Sequence, residues 1–226
     1  MKYEIILFDL DGVIFDFKQC EKASFENTFK QYNVEVNEQL FNLYSKINHQ
    51  LWHDFELGKV TKNEVTCGRF KILFEKLGLD IDSNEFASQY QNGLAEGYFL
   101  MPEAKEILET LSLNYRLYAV TNGVSKTAFS RLKGTDTLKY FKDVFVSEDL
   151  NAQKPSIEYF EKVFNKIQPF KKEKVLLIGD TLTSDILGAN QANIDCCWLN
   201  IDHLVNQTKA KPDYEIDCLK DIFKIL

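Results

Sequence analysis

The sequence has no surplus of basic residues and no basic cluster. Its 27 lysines and arginines are outnumbered by 34 acidic residues, so the formal net charge is -7 at pH 7. Proteins that bind polymeric nucleic acid or anionic membranes concentrate positive charge on one surface. We therefore expect neither partner. A small phosphate ester is a different case, because it needs only a few local cations or backbone N–H groups.

Long apolar segments are also missing. Glu4 and Asp9 interrupt the only early apolar run, and no later run approaches the roughly 20 residues that cross a bilayer. We therefore expect neither a signal peptide nor a membrane span, and we expect a cytoplasmic protein.

The cysteines lack the spacing of metal ligands and are odd in number, which argues against a disulfide framework. Two of them fall in an apolar run that is typical of a buried strand, and we expect all of them to be reduced. The five are Cys20, Cys67, Cys196, Cys197 and Cys218.

Linkers rich in proline, glycine or serine are absent, as are internal repeats and low-complexity tracts. The 226 residues are 45% hydrophobic and 27% charged, which suits a globular protein with one substantial core and a smaller inserted domain. Domain borders must therefore be inferred from changes in hydrophobic periodicity.

The first part of the chain begins with an apolar strand over residues 3–8, followed by apolar residues at helical spacing only. Thr61 and Glu64 form a capping box for a helix that should end near Gly78. We interpret residues 16–97 as a helical bundle inserted into a core made of residues 1–15 and 98–226.

Beyond Pro102, helices alternate with short apolar runs centred on Val120, Phe145, Leu177 and Trp198. These runs show no polar alternation, as expected of strands that helices cover on both faces. The pattern predicts an α/β protein with a parallel sheet.

Polar side chains follow several of these predicted strands. Asp9 and Asp11 emerge together after the first strand, where their mutual repulsion would raise one pKa unless a cation lies between them. Parallel sheets place their chemistry at this edge, so the pair predicts a divalent metal. The other side chains expected at the same edge are Thr121, Asn122, Lys154, Asp180 and Asp185.

The segments FDLDGVIFD, VTNG, QKPS and GDTLTSD resemble, in order and spacing, the four motifs of the haloacid dehalogenase-like hydrolase superfamily. INHQLWHDFELGKV, AVTNGVSKT, FVSEDLNAQKP and DCCWLN resemble its pyrimidine 5'-nucleotidase branch. The resemblance implies a Rossmann-like parallel sheet core, with a helical-bundle cap inserted between strand one and the rest of the core.

The resemblance also implies roles for the carboxylates. Asp9 would be the nucleophile that forms an aspartyl-phosphate, and Asp11 would be the general acid and then the general base. Mg²⁺ would be bound by the side chains of Asp9 and Asp180 and by the backbone carbonyl of Asp11. Asp185 would hold a metal-bound water or orient Lys154, although an acidic residue in the first turn of a helix is an equal alternative.

The remaining motif residues would bind the phosphoryl group. Thr121, Asn122 and the N–H groups of the turn at Gly123 would hydrogen-bond its oxygens, and Lys154 would neutralise charge on both nucleophile and phosphate. One position departs from the family pattern: Val13 stands where a threonine that supports the turn is common. This weakens the phosphatase interpretation slightly and leaves the metal and nucleophile in place.

The inserted bundle would act as a lid over a reactive acyl-phosphate and would carry specificity. An aromatic ring there offers a stacking surface for a base. The candidates are Asn48, Trp52, His53 and Arg69, each of which is individually more typical of bundle core or solvated surface.

These observations predict a Mg²⁺-dependent phosphatase acting on nucleoside 5'-monophosphates, pyrimidine ones in particular and including noncanonical forms. The alternatives are a sugar-phosphate or phosphoglycolate phosphatase, a phosphomutase, or a phosphometabolite-binding protein without turnover. Dehalogenation is disfavoured because a dehalogenase lacks the second acid, Asp11. The apolar stripes of the insertion suit a core or an interface equally, so the oligomeric state stays open.

Overall fold

The structure is a computed structural model that describes residues 2–226. The described chain divides into two compact units. The helical unit is Lys18–Gly97, and the sheet unit comprises the stretch ending at Phe17 together with Tyr98–Leu226. Among the described residues, none of the helices combines the length and hydrophobicity that a membrane span requires.

The sheet unit is built on a six-stranded sheet within the described residues, in the order β3-β2-β1-β4-β5-β6. All neighbouring strands pair in parallel. The strands are β1 Ile5–Phe8, β2 Arg116–Thr121, β3 Phe141–Val146, β4 Val175–Gly179, β5 Asp195–Leu199 and β6 Tyr214–Ile216. The predicted α/β class with a parallel sheet is confirmed.

Strand β1 shows why the apolar runs lack polar alternation. Ile6 and Phe8 belong to one buried cluster and Ile5 and Leu7 to another, because successive side chains of a strand point to opposite faces. Both clusters contain side chains from flanking helices. The central strand is therefore buried on both sides.

Two segments of the sheet unit connect it to the helical unit, and they pair with each other. Phe15 and Leu100 form an antiparallel bridge. The N–H of Asp16 donates to the carbonyl of Phe99 at 3.0 Å, and the N–H of Met101 donates to the carbonyl of Ile14 at 2.9 Å. The chain therefore leaves and re-enters the sheet unit through one small ladder.

The helical unit holds α1 Phe17–Gln31, α2 Glu38–Glu56, α3 Lys62–Thr66, α4 Gly68–Leu77 and α5 Ser83–Ala95. Its core is aromatic: the Phe29 ring centroid lies 4.6 Å from those of Phe25 and Phe86. The capping box of Thr61 and Glu64 is present. The helix that it begins was expected to run to Gly78 but breaks at Cys67, so α3 and α4 are separate.

The helices of the sheet unit are α6 Ala104–Ser112, α7 Ser125–Gly134, α8 Ser147–Leu150, α9 Ile157–Lys166 and α10 Leu187–Ala192. A π-helical turn, Leu182–Ile186, precedes α10, and single 3₁₀ turns occupy Leu138–Tyr140, Lys172–Lys174 and Leu219–Lys224. The polar residues that follow β1, β2 and β4 all lie at the carboxyl edge of the sheet.

Candidate active site

Lys154 is the centre of the candidate site. Its side chain is 2% exposed, and its Nζ lies 2.7 Å from Asp9 Oδ1 and 2.7 Å from Asp185 Oδ1. It also donates to the carbonyl of Val120 at 3.0 Å. Burial acts against its ammonium form, but the charges of Asp185 and Asp9 outweigh burial and raise the pKa of Lys154. It therefore stays charged between the two acids.

The carboxylates at the site outnumber the Lys154 ammonium. Asp9, Asp180 and Asp185 can each offer an oxygen, and these atoms lie within 4.8 Å of one another. Burial and then the charge of Asp185 raise the pKa of Asp180 to about 7. The same two causes raise the pKa of Asp9 well above its usual value, against the opposing charge of Lys154.

This crowding fits a divalent cation, because added positive charge would let the three carboxylates remain ionised together. Carboxylate oxygens are also the ligands that Mg²⁺ prefers. The two oxygens of Asp185 already have partners in the protein: Oδ1 accepts from Lys154, and Oδ2 accepts from the N–H of Thr181 at 3.2 Å. Asp9 and Asp180 are therefore the better-suited side-chain ligands.

Two glycines let the backbone approach these carboxylates. Gly12 has a φ of +80°, and a β-carbon on it would lie 2.2 Å from Asp180 Oδ2. A β-carbon on Gly179 would lie 2.3 Å from the Cβ of Asp185. Because Gly12 has no room for a side chain, the loops after β1 and β4 can meet, and Gly179 likewise lets the turn that carries Asp185 pack against the end of β4.

The Asn122 side chain fixes the segment that carries Lys154. Its Oδ1 accepts from the backbone N–H of Lys154 at 2.9 Å, and its Nδ2 donates to the Lys154 carbonyl at 2.9 Å. Thr121 is buried next to it, and its hydroxyl accepts from the N–H of Gly123 at 3.0 Å. Helix α9 begins after the Ser156 cap, so Pro155 precedes the helix.

Asp11 has a partner that the sequence analysis missed. Arg131 Nη1 lies 2.7 Å from Asp11 Oδ1, and the arginine side chain is 2% exposed. The guanidinium carbon lies 4.5 Å from the centroid of the Phe15 ring. Arg131 shares the buried face of α7 with Ala128 and Leu132, and a charged residue at such a core position was the available signal.

Trp198 was noticed only as part of a predicted strand. It pairs in register with Gly179, and its indole Nε1 donates to the backbone carbonyl of Asp180 at 2.9 Å. An indole N–H that is buried beside an acidic loop needs such an acceptor. Strand β5 thereby supports the loop that carries Asp180.

Within the helical unit, Asn48 and Arg69 are brought together. Arg69 Nη1 donates to Asn48 Oδ1 at 2.8 Å, and Asn48 Nδ2 donates to Glu21 Oε1 at 2.8 Å. All three side chains are buried. The Arg69 guanidinium carbon also lies 4.7 Å from the Tyr90 ring centroid. Glu21 was not predicted, since nothing in its neighbouring sequence marks a buried charge.

The other two candidates of the helical unit are less enclosed. Trp52 is half-buried, meets the ring of Phe55 edge-on at 5.7 Å, and has the Lys62 ammonium 5.3 Å from its centroid. His53 is exposed.

The family model described as haloacid dehalogenase-like hydrolase matches residues 6–199. The chain belongs to this family of hydrolases, and the resemblance seen in its motifs is confirmed.

Individual relatives match over nearly their whole length. The chain is 39% identical to the HAD-hydrolase YfnB of Bacillus subtilis, covering 100% of this chain and 96% of the relative. A crystal structure of YfnB bound to magnesium superposes with a TM-score of 0.95 at 38% identity, covering 100% and 99% of the two chains. The pyrimidine 5'-nucleotidase PynA of Streptococcus pneumoniae is 38% identical to the chain, and the match covers 100% of this chain and 96% of PynA.

Proposed function

We propose that this protein is a Mg²⁺-dependent phosphatase that hydrolyses nucleoside 5'-monophosphates, pyrimidine ones in particular. The observation that carries the proposal is the buried cluster of Asp9, Asp180 and Asp185 around Lys154 at the carboxyl edge of the sheet. The pyrimidine preference is supported by PynA and by the pyrimidine 5'-nucleotidase YjjG of Escherichia coli, which is 28% identical and is covered to 99%.

Asp9 and Asp11 supply the chemistry. A carboxylate oxygen of Asp9 attacks phosphorus, and the bond from phosphorus to the ester oxygen breaks while Asp11 donates a proton to that oxygen. Water then attacks the phosphorus of phospho-Asp9 and gives a proton to Asp11, while the bond from phosphorus to the Asp9 oxygen breaks and its electron pair returns to the carboxylate. Inorganic phosphate leaves, and both carboxyl groups return to their starting states.

The other motif residues bind and orient. Asp9 and Asp180, with the backbone carbonyl of Asp11, would hold Mg²⁺, which supplies positive charge next to the transferring phosphoryl group. Lys154 supplies further positive charge, and Asp185 keeps its ammonium in place. The Thr121 hydroxyl and the backbone N–H groups at Asn122 and Gly123 bind phosphoryl oxygens, for which the Gly123 N–H exchanges its bond to the Thr121 hydroxyl for one to phosphate.

The helical unit is proposed to serve as the cap that determines which phosphate ester is accepted. Trp52 offers a ring that is only half-buried, and such a ring can stack on a base. The burial of Asn48 and Arg69 favours a supporting role over direct contact with the substrate. His53 has no part in proton transfer, because Asp11 supplies it.

The test is a phosphate-release screen over nucleotides and sugar phosphates, with and without Mg²⁺, run in parallel on Asp9→Asn. We expect release from pyrimidine nucleoside 5'-monophosphates, dependent on Mg²⁺ and lost in the variant. Equal rates across bases or a preference for sugar phosphates would refute the nucleotidase assignment. Unchanged rates in Asp9→Asn would refute the mechanism. Release without a bisphosphate activator excludes a phosphomutase.

A further inference from the structure

The buried guanidinium of Arg131 is the feature that the proposed mechanism leaves unused. Burying an arginine costs several kcal/mol unless its charge is paired. Its charge partner is Asp11, whose side chain is 27% exposed while that of Arg131 is 2% exposed. The pair therefore joins a residue fixed in the core of the sheet unit to a carboxylate at its accessible edge.

The two oxygens of Asp11 have different surroundings. Oδ1 lies 2.7 Å from Arg131 Nη1. Oδ2 lies next to the loop after β2, since a β-carbon placed on Gly123 would lie 3.6 Å from it. That loop supplies the backbone N–H groups that we assign to the phosphoryl oxygens. Oδ1 is thus held by the ion pair with Arg131, and Oδ2 lies on the side of the loop where we expect the substrate.

Arg131 is itself held on several sides. It belongs to helix α7, between Ala128 and Leu132 on the buried face, and its guanidinium lies over the ring of Phe15. A guanidinium held against a ring carries its charge on a rigid planar group rather than on a flexible chain. Arginine can therefore set the orientation of the Asp11 carboxylate more precisely than a flexible lysine.

We propose that Arg131 is a positioning residue for proton transfer: it anchors Asp11 through Oδ1 and so presents Oδ2 to the leaving oxygen of the substrate. The inference rests on the proposed phosphatase activity but not on the identity of the substrate. In the step concerned, the bond from phosphorus to the ester oxygen breaks, its electron pair goes to that oxygen, and the proton on Asp11 Oδ2 is transferred there.

The test compares leaving groups that need the proton to different extents. The alkoxide of uridine 5'-monophosphate needs it most, phenolate needs it less, and p-nitrophenolate departs with little assistance. In Arg131→Met we expect kcat/KM to fall by about 30-fold for the nucleotide, less than the roughly 100-fold or more that general acid catalysis contributes, because Asp11 itself remains. We expect an intermediate loss for phenyl phosphate and a loss below about 3-fold for p-nitrophenyl phosphate.

A double-substitution cycle tests whether Arg131 acts through Asp11. In an Asp11→Asn background, Arg131→Met should lower kcat/KM for the nucleotide by no more than about 2-fold, because the carboxyl group that it positions is already gone. Losses that multiply in the double variant would overturn the proposal.

Two further variants distinguish the loss of Asp11 positioning from a general packing defect. Leu132→Ala creates a packing defect on the same buried face of α7 but keeps Arg131, Phe15 and Asp11, so any loss should be equal for the three substrates. Arg131→Lys keeps a cation, so we expect a smaller loss than in Arg131→Met, still graded by leaving group. If Arg131→Met does not fold, the test rests on Arg131→Lys. A loss of kcat/KM that is equal for the three substrates in that variant would overturn the proposal.

The two aryl phosphates keep this test independent of the nucleotide assignment. If the wild-type protein hydrolyses both aryl phosphates but no nucleotide, the proposed substrate is wrong and the Arg131 test proceeds with the aryl pair. If the gradation is absent while nucleotides are hydrolysed, the Arg131 proposal alone fails.

Discussion

Lys154 carries the positive charge that balances two buried carboxylates. Replacing it with methionine would keep much of its volume but leave Asp9 and Asp185 without their shared partner. We expect Lys154→Met to lower the free energy of unfolding by about 3–5 kcal/mol and to abolish phosphate release. Denaturant unfolding without Mg²⁺ measures the change in the free energy of unfolding.

The matched control for this substitution is Lys22→Met. Lys22 is exposed and its Nζ lies 4.0 Å from Glu26 Oε1, a type of surface pair worth less than about 1 kcal/mol. The unfolding midpoint of Lys22→Met should stay near that of the wild type. If Lys154→Met unfolds at the same denaturant concentration as Lys22→Met, the charge balance assigned to Lys154 is wrong.

Asp180 offers a second test at the scale of single residues. Asp180→Asn removes one of the three crowded negative charges and keeps an oxygen that can accept from the Thr181 hydroxyl, now 3.1 Å from Oδ1. Without Mg²⁺, we expect the variant to melt about 2–4 °C above the wild type, corresponding to about 1 kcal/mol. Differential scanning calorimetry measures this shift.

Added Mg²⁺ should reverse the order of the two melting temperatures, so that the wild type melts above Asp180→Asn. The wild type should gain stability because the ion binds its carboxylates in the folded state, whereas Asp180→Asn should gain much less. Asp136→Asn serves as the control, since Asp136 pairs with the exposed Lys139 and should respond to Mg²⁺ as the wild type does. An equal gain in Asp180→Asn would exclude Asp180 as a ligand.

At the scale of elements, strand β5 is expected to affect metal binding through Trp198. Trp198→Phe keeps an aromatic ring but removes the indole donor to the Asp180 carbonyl. We expect the affinity for Mg²⁺, measured by isothermal titration calorimetry, to fall by about 10-fold, as substitutions behind metal ligands commonly do.

Tyr3→Phe is the matched control for the tryptophan substitution. It also removes side-chain hydrogen bonds, those from the Tyr3 hydroxyl to Asp195 Oδ2 at 2.6 Å and to the Tyr214 hydroxyl at 3.1 Å, but Tyr3 precedes β1 at the opposite edge of the sheet. Its Mg²⁺ affinity should be unchanged. If both variants lose affinity equally, general loosening of the sheet explains the effect.

Elements differ in how well the sequence predicts them. Strands β1 to β5 were predictable because each contains a short apolar run, which in β3 is confined to its second half, after the exposed Lys142 and Asp143. Strand β6, Tyr214–Ile216, was missed because it has three residues and pairs only with β5. The break at Cys67 was also missed, since the apolar spacing continues from α3 into α4.

The residues of the candidate site also differ in how well the sequence predicts them. Asp9, Asp11 and Asp180 were predictable because each follows a strand whose end lies at a known edge. Arg131 and Glu21 were not, because their significance depends on partners distant in sequence. Local pattern indicates which side chains reach the edge of a sheet, and long-range packing decides what orients them.

At the scale of the whole molecule, the two compact units have separate cores. Phe29 packs among Phe25, Phe74 and Phe86 in the helical unit. Phe29→Ala should cost about 3–5 kcal/mol there. We expect hydrogen exchange followed by mass spectrometry to show faster exchange in residues 18–97, with protection retained in β1 and β4.

The reciprocal substitution is Phe160→Ala. Phe160 is fully buried in the core of the sheet unit, so exchange should accelerate in the strands first. A loss of protection through the whole chain in both variants would show that the units unfold as one cooperative body.

The paired connecting segments make the insertion removable in principle. Because Asp16 and Phe99 already share a hydrogen bond, a two-residue Asn-Gly turn has the right span to join them as a hairpin. Excision of everything between would leave the strand order of the sheet unit unchanged. The same junction is a place where a foreign module could be grafted, with its two ends held side by side from the start.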